Sequence, residues 1–471
     1  MKKYSLIFRE VLKEIKPSKE QEVHLKRVAN KALKLVKGEA KKYKAKAILA
    51  GSITRNTWLP DKLEFDIFIM FPEEMKEKRM ENLGLRIGKK VVRKLKGTFK
   101  IEYAEHPYVS GNVDGIDIDI VPCYELKSLE KIKSAVDRTP FHVRYLEKNF
   151  KKVMSNEVRL LKQFLKANEI YGADTKTQGF SGYSCELLII KYKKFLNLLK
   201  EAVKWNPGEI IDIEKYYTKK DFEKLKMMFK NQPLILIDPV DKNRNTAAAL
   251  SPRNFFLFKK LAKTFLKNPS NKFFFSKEIK PMREEDYIKK LRKRETEIIV
   301  LKFEKPDVIE DILWPQLTKF ADRVCSILKE YDFKVMKKAV FADEEFCYVL
   351  FEFEIWKLPE VEKRVGPIIF DLKDSKNFLE KYKEDTINGP YVEGIRWVVE
   401  TKRRFLTAKE KLIDSLSKSF EILVAKGIPN YIAEKLAKGF DIFAGSEVIL
   451  LLKNRKFAIF LKKYFTKEKL I

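Results

Sequence analysis

Apolar residues recur at spacings of three and four from Ser5 to about Lys44, in LIFREVLKEI and again in VHLKRVANKALKLV, and that period predicts helix. A short apolar run, KAILA, then leads into Gly51 and reads as a strand. The pattern next switches to strict alternation. In KLEFDIFIMF, Leu63, Phe65, Ile67 and Ile69 fall on one face while Glu64 and Asp66 fall on the other. NLGLRIGKKVVRKLKG returns to the helical period with many basic residues, and FKIEYAEHPYVSG and GIDIDIVPCYEL alternate again. The first 125 or so residues therefore predict a small α/β unit with a mixed sheet.

From about Arg144 to Phe195 the helical period dominates, and it resumes through residues 209–230 and 252–267, which predicts a helical central domain. Phe180, Phe195 and the FFLF run at 255–258 sit at helical spacing and are expected in the core rather than as base-stacking platforms. The period changes once more over 297–356. EIIVLKF reads as a strand, VIEDILWPQLTKFADRVCSILKEY as a helix despite Pro315, and FKVMKKAVFA with FCYVLFEFEIW as two strands. A β-α-β-β order suits an α+β platform of the ferredoxin-like or RNA-recognition-like kind. Beyond residue 385 helix is expected to the basic end, KNRKFAIFLKKYFTKEKLI. No repeat of fixed period interrupts this order.

Composition narrows the class. Of the 471 residues, 45% are hydrophobic and 35% charged, and no apolar run is long enough to cross a bilayer. The first residues, MKKYSLIFREVLKEIKP, carry charges every few positions and lack the apolar stretch of a secretory signal, so a cytoplasmic protein is expected. Cys123, Cys185, Cys325 and Cys347 lie far apart, and His24, His106 and His142 are the only histidines, a set too sparse for a dispersed zinc cluster. Buried, reduced thiols are the expectation. Lys and Arg number 98 against 67 acids, a formal charge of +31, which favours a polyanionic partner such as nucleic acid. A thermophile's Lys- and Glu-rich surface would account for the density of charge but not for its imbalance.

Glu64 and Asp66, two apart on a strand, leave the same face, where two like charges repel unless a cation stands between them. Oxygen ligands without His or Cys suit Mg²⁺. Solvent-facing polar residues on a half-buried strand alternate in the same way, so the pair alone does not decide. GIDIDIVP repeats the device with Asp117 and Asp119. Were that strand beside the first, a third carboxylate would complete a two-metal site. Upstream, the Gly51-Ser52 turn offers backbone N–H groups and a hydroxyl, which are phosphate ligands.

A GS turn, an ExD strand twelve residues on and a distant third acid resemble the polymerase-β-like nucleotidyltransferases. More narrowly, AGSITRNTWLP with LEFDIFIMF, YAEHPYVSG with IDIVPCY, SAVDRTPFH, NEVRLLKQFLKANEIYGA, QGFSGYSCELLI and IDPVDKNRNTAAALS are similar to the archaeal, class I CCA-adding enzymes. KPDVIEDILWPQL and NGPYVEGIRW extend the resemblance into the C-terminal half. It implies a multidomain α/β plus α-helical protein. A polymerase-β-like catalytic palm is expected over 1–143, a helical neck over 144–275, an α+β, RRM- or ferredoxin-like tRNA-binding body over 276–384, and a helical tail returning to the body over 385–471.

The resemblance also implies roles. Glu64, Asp66 and Asp119 match catalytic, metal-binding carboxylates, with Asp117 beside them. Ser52, Arg55, His142, Lys162 and Tyr171 match residues that hold the triphosphate, and Arg244 matches one that reads the base. Asn56 is expected to orient the ribose or the turn; Trp58, read from the residue itself and not from the resemblance, is expected to wedge beneath the turn. The implied activity is template-independent addition and repair of the 3′-terminal CCA of tRNA from CTP and ATP, with two Mg²⁺ ions. The implied partners are the acceptor arm and 3′ end of tRNA, no membrane, and a second copy of the chain through the tail. Two rivals stay open from the residues alone: a sister polymerase or second-messenger synthetase, and a non-catalytic RNA-binding protein on the same fold.

Overall fold

A computed structural model describes residues 2–103, 105–275, 278–384 and 386–466. The chain divides into two compact units between residues 277 and 278.

The first unit begins with α1 (Lys2–Ile15) and α2 (Lys19–Ala40), followed by β1 (Lys46–Ala50), β2 (Glu64–Pro72), α3 (Glu77–Lys94), β3 (Thr98–Tyr103), β4 (Pro107–Val113) and β5 (Ile116–Glu125). The strands form one mixed sheet in the order β1-β2-β5-β4-β3, with β2 and β5 parallel and the other neighbours antiparallel. Alternation explains which face is covered: Phe65, Ile67, Ile69, Ile116, Ile118 and Ile120 join the apolar faces of α2 and α3 in one core. Helix α3 approaches closely because it carries glycines where it crosses the sheet. A Cβ on Gly84 would stand 2.7 Å from Pro122, and one on Gly88 would stand 2.8 Å from Val109.

The helical part follows as α4 (Thr139–Asn149), α5 (Met154–Ala167), α6 (Gly182–Tyr192), α7 (Phe195–Ala202), β6 (Glu209–Ile211), α8 (Phe222–Met228), β7 (Leu234–Leu236) and α9 (Pro252–Lys267). Phe180, Phe195, Phe255 and Phe258 are buried, as their spacing predicts. Two details depart from the sequence reading. Helix α1 packs into this helical core and not onto the sheet, because Tyr4 and Phe8 lie against the rings of Phe195, Phe265 and Phe274. Residues 209–211, expected in helix, pair in parallel with 234–236 instead, since Ile210 packs with Ile235 and Ile237 on one side and Ile211 joins Leu234 and Leu236 in the helical core on the other.

The second unit comprises α10 (Glu284–Arg294), β8 (Glu297–Glu304), α11 (Glu310–Lys329), β9 (Lys334–Ala342), β10 (Phe346–Ile355), β11 (Val361–Ile368), α12 (Leu372–Lys381), β12 (Asn388–Glu393), β13 (Arg396–Lys402), α13 (Ala408–Leu416), α14 (Phe420–Ala425), α15 (Asn430–Lys438), β14 (Asp441–Ala444) and α16 (Arg455–Phe465). Its main sheet runs β14-β8-β10-β9, all antiparallel, which is the ferredoxin-like order expected from β-α-β-β. Pro315 lies early in α11, where its missing N–H forfeits a single bond.

Both faces of this sheet are buried. Ile299, Leu301, Val349 and Phe351 face α11, α13 and α15, while Ile298, Val300, Tyr348 and Leu350 face α10 and α16. The open base-stacking face of an RNA-recognition platform is therefore covered in this protein. The uninterrupted apolar run IIVL, residues 298–301, is the sequence counterpart of that double burial. A further difference lies beyond residue 385, where helix was expected: β12 and β13 join β11 in a three-stranded sheet. The β-branched pair Val398-Val399 and the turn at Gly394 favour strand there. No helix among the described residues is long and apolar enough to cross a membrane.

Candidate active site

Parallel pairing puts Asp66 opposite Asp119 and Glu64 opposite Asp117. Neighbouring strands lie about 4.8 Å apart, and residues two apart share a face, so four acids converge on the side of the sheet away from α2 and α3. The crowding has an electrostatic signature. Burial, with the charges of Asp119 and Glu64, pushes the Asp66 carboxyl up to about 7. Burial likewise raises Asp119, against a hydrogen bond from Ser110. The ammonium of Lys62, 2.5 Å from Glu64, gives partial compensation. Asp117 is exposed and accepts a 2.8 Å bond from Asn112. Oxygen donors alone are the ligand type that a hard divalent metal takes, and Glu64, Asp66 and Asp119 are the residues of this face that could hold one.

The turn before β2 is built to approach these acids. Gly51 has φ of 82°, a left-handed conformation that favours glycine, and a Cβ there would meet Asp66 Oδ2 at 2.9 Å. Ser52 opens a short 3₁₀ turn, Ser52–Arg55, closed by Asn56 in the left-handed region. Asn56 donates to Glu22 and accepts from Arg159, so its side chain serves the turn. Trp58 is buried beneath the turn, and its carbonyl accepts from Arg159 Nε at 3.1 Å.

Helix α6 gathers the remaining candidates. Its buried Glu186 takes Arg55 Nε at 2.9 Å and the Thr57 hydroxyl at 2.6 Å, and Lys162 Nζ on α5 donates to Thr57 at 3.3 Å. Lys162 is buried, unlike the solvated lysine its amphipathic helix would suggest, and burial lowers its pKa while Glu186 and Glu64 oppose that shift. At the start of α6, a Cβ on Gly182 would lie 3.3 Å from the Tyr171 hydroxyl and 3.8 Å from Lys162 Nζ, which brings these two together. Burial pushes the Tyr171 phenol up, with Glu64 among the charges it feels.

One residue on, Tyr183 belongs to a second cluster. Its hydroxyl donates to Asp238 Oδ1 at 3.1 Å, while His142 Nε2 and Arg244 Nη1 reach Asp238 Oδ2 at 2.9 and 2.7 Å. Burial raises the Asp238 pKa, but the bonds and charge of His142 and the bond from Arg244 outweigh it and hold the carboxyl below its ordinary value. The sequence reading missed Asp238, Glu186, Thr57 and Tyr183. All four lie inside the motifs that carry the resemblance, which was the one signal available.

A separate grouping of Glu77, Glu81 and His106 lies at α3 and the start of β4. His106 Nδ1 is 3.0 Å from Glu81, so the ring already has a partner there. The four cysteines are free; Cys123, Cys185 and Cys347 are buried and Cys325 is partly exposed.

A nucleotidyltransferase-domain profile matches residues 29–142, over the sheet that bears the acids. The fold and the site thus define a nucleotidyltransferase, a class of enzyme that uses divalent metal ions. Profiles of a tRNA nucleotidyltransferase second domain and of a CCA-adding enzyme C-terminal domain match residues 156–275 and 294–445. The CCA-adding enzyme of Methanocaldococcus jannaschii is 42% identical over 387 residues, covering 80% of this chain and 84% of that one. That of Methanosarcina mazei is 36% identical over 458 residues, covering 96% and 97%. The chain belongs to the CCA-adding enzyme family. Among solved structures, the Cid1 poly(U) polymerase with Mg and 3′-dATP bound matches at a TM-score of 0.45 and 14% identity, over 59% of this chain and 99% of that one.

Proposed function

We propose that this enzyme builds and repairs the 3′-terminal CCA of tRNA from CTP and ATP without a nucleic-acid template. The observation that carries the reading is the register of Asp66 with Asp119, beside Glu64, on one face of a nucleotidyltransferase sheet. Glu64, Asp66 and Asp119 would hold two Mg²⁺ ions. When bound, the ions supply positive charge where the RNA 3′ hydroxyl meets the α-phosphate and where pyrophosphate departs.

The chain supplies placement. Ser52 and Arg55 at the turn, with Lys162, Tyr171 and His142, would grip the triphosphate. Arg244 would offer its forked donors to the acceptor edge of cytosine or adenine. Arg55 and Lys162 are tied together through Glu186 and Thr57, which supports a grip set before the nucleotide arrives.

The division of labour we propose is a catalytic head over 1–143, a neck over 144–275, a tRNA-binding body over 276–384, and a tail over 385–471 that opens on two strands. With both faces of the body sheet covered, tRNA would be met by edges, loops and basic helices. A cytoplasmic location, and a homodimer through the tail, where Val392 and Ile395 are exposed, complete the reading.

The test is incorporation of labelled CTP and ATP, alone and together with Mg²⁺, into tRNA transcripts ending before CCA and after CC. CTP should stop after two additions and ATP should add once, to the CC end only. Asp66→Ala, or chelation of the metal, should abolish turnover, a loss of several orders of magnitude in rate. Repeated ATP addition to any RNA would instead identify a sister polymerase. Binding of tRNA without any turnover would identify a non-catalytic protein.

A further inference from the structure

Asp238 has no role in the scheme above, yet it is completely buried and fully engaged. Oδ2 accepts from both His142 Nε2 (2.9 Å) and Arg244 Nη1 (2.7 Å), and Oδ1 accepts from the Tyr183 hydroxyl and the Val240 backbone N–H, each at 3.1 Å. Its own N–H donates to the Arg244 carbonyl at 3.0 Å, closing the IDPVDKNRN loop on itself. Four donors satisfy an ionised carboxylate, so Asp238 has nothing left for a substrate or an ion. Its effect must pass through the groups it holds.

Those groups are placed by the sharing of one oxygen. With Nε2 committed to Asp238, Nδ1 is the ring nitrogen of His142 left for a phosphate. The bond at Nη1 and the backbone bond to the Arg244 carbonyl hold both ends of that residue and restrain its planar guanidinium, although its side chain is 39% exposed. The ring of Tyr183, 4.2 Å from that of His142, backs the arrangement.

We propose that Asp238 is a positioning residue that locks the base-reading plane of Arg244 to the phosphate-holding ring of His142, so that the distance between base edge and triphosphate becomes part of nucleotide selection. This rests on the roles given above to His142 and Arg244.

The experiment compares CTP with UTP, which differs at the pyrimidine 4-position, on a tRNA transcript lacking CCA. Asp238→Asn keeps the size of the side chain but leaves one accepting oxygen. It should reduce the CTP-over-UTP ratio of kcat/KM by about tenfold and raise the KM for CTP, with kcat at saturating CTP changed by less than about twofold. Adding Asp238→Asn to Arg244→Ala should cause no further loss of preference. Tyr183→Phe, which leaves the shared oxygen untouched, should retain the preference. Should Asp238→Asn not fold, Arg244→Lys keeps the charge and loses the plane, and it should lose preference likewise.

Three results overturn the inference. If Arg244→Ala loses preference while Asp238→Asn keeps it, Asp238 only holds the fold. If Tyr183→Phe loses as much as Asp238→Asn, the loss is general loosening. If Arg244→Ala and His142→Asn both leave preference and KM unchanged, the reading of the pocket fails and takes the inference with it.

Discussion

Gly51 shows how little freedom a single position has at this site. Any side chain there would have to adopt a φ of 82° and put its Cβ 2.9 Å from the Asp66 carboxylate. Gly51→Ala should therefore slow nucleotidyl transfer at least about tenfold by displacing Asp66, with a stability loss of roughly 1–2 kcal/mol from backbone strain. Single-turnover incorporation and thermal melting measure the two effects separately, and a rate within twofold of wild type would remove the argument. At this scale legibility was uneven for a physical reason. The acids of β2 and β5 are readable because strand alternation sends residues two apart to one face, and the only unknown was whether the two strands are neighbours. Asp238 and Glu186 were not readable, because a buried acid declares itself only through its partners. His142 lies 96 residues before Asp238, and Arg55 lies 131 before Glu186.

Helices α2 and α3 are joined at one carboxylate. Glu39 on α2 lies 2.8 Å from Lys42, 2.9 Å from Lys90 and 3.7 Å from Lys94. Hydrogen bonds from Lys42 and Lys90 hold its carboxyl down at about 2, from an ordinary 4.5. A depressed folded value means the unfolded chain takes up the proton first on acidification. The contribution of Glu39 is thus complete above pH 4.5 and is lost as pH falls from there toward 2. Glu39→Gln should melt slightly below wild type at pH 7, within the small range of exposed ion pairs, and the two curves should converge near the acid end of that window. A gap that persists there would assign the difference to packing. Element by element, long periodic segments were the legible ones. The misses were short or weakly patterned: β6 has three residues and β14 four, β11 and β12 are too exposed to alternate cleanly, and β13 buries the adjacent Val398 and Val399 against alternation. The position of α1 was lost differently, since periodicity shows that a helix has an apolar face but not which core receives it.

Over the whole molecule, the excess of 98 basic residues over 67 acids is far more than the internal ion pairs need. The acid site itself repels a polyanion, so basic surface elsewhere must supply the attraction for tRNA. Such binding releases counterions, and its strength falls with salt in proportion to the phosphates neutralised. If the body and tail contact about six phosphates, tRNA affinity should fall roughly a thousandfold between about 50 and 200 mM salt. With the nucleotide gripped as proposed, by a few groups that include the buried Lys162, its binding would be screened less, so the KM for CTP measured at saturating tRNA should move far less over the same range. Filter binding of a tRNA transcript against salt, with CTP kinetics alongside, separates the two. Equal salt dependence would place the tRNA-binding charge at the nucleotide pocket and remove the body and tail from the binding surface.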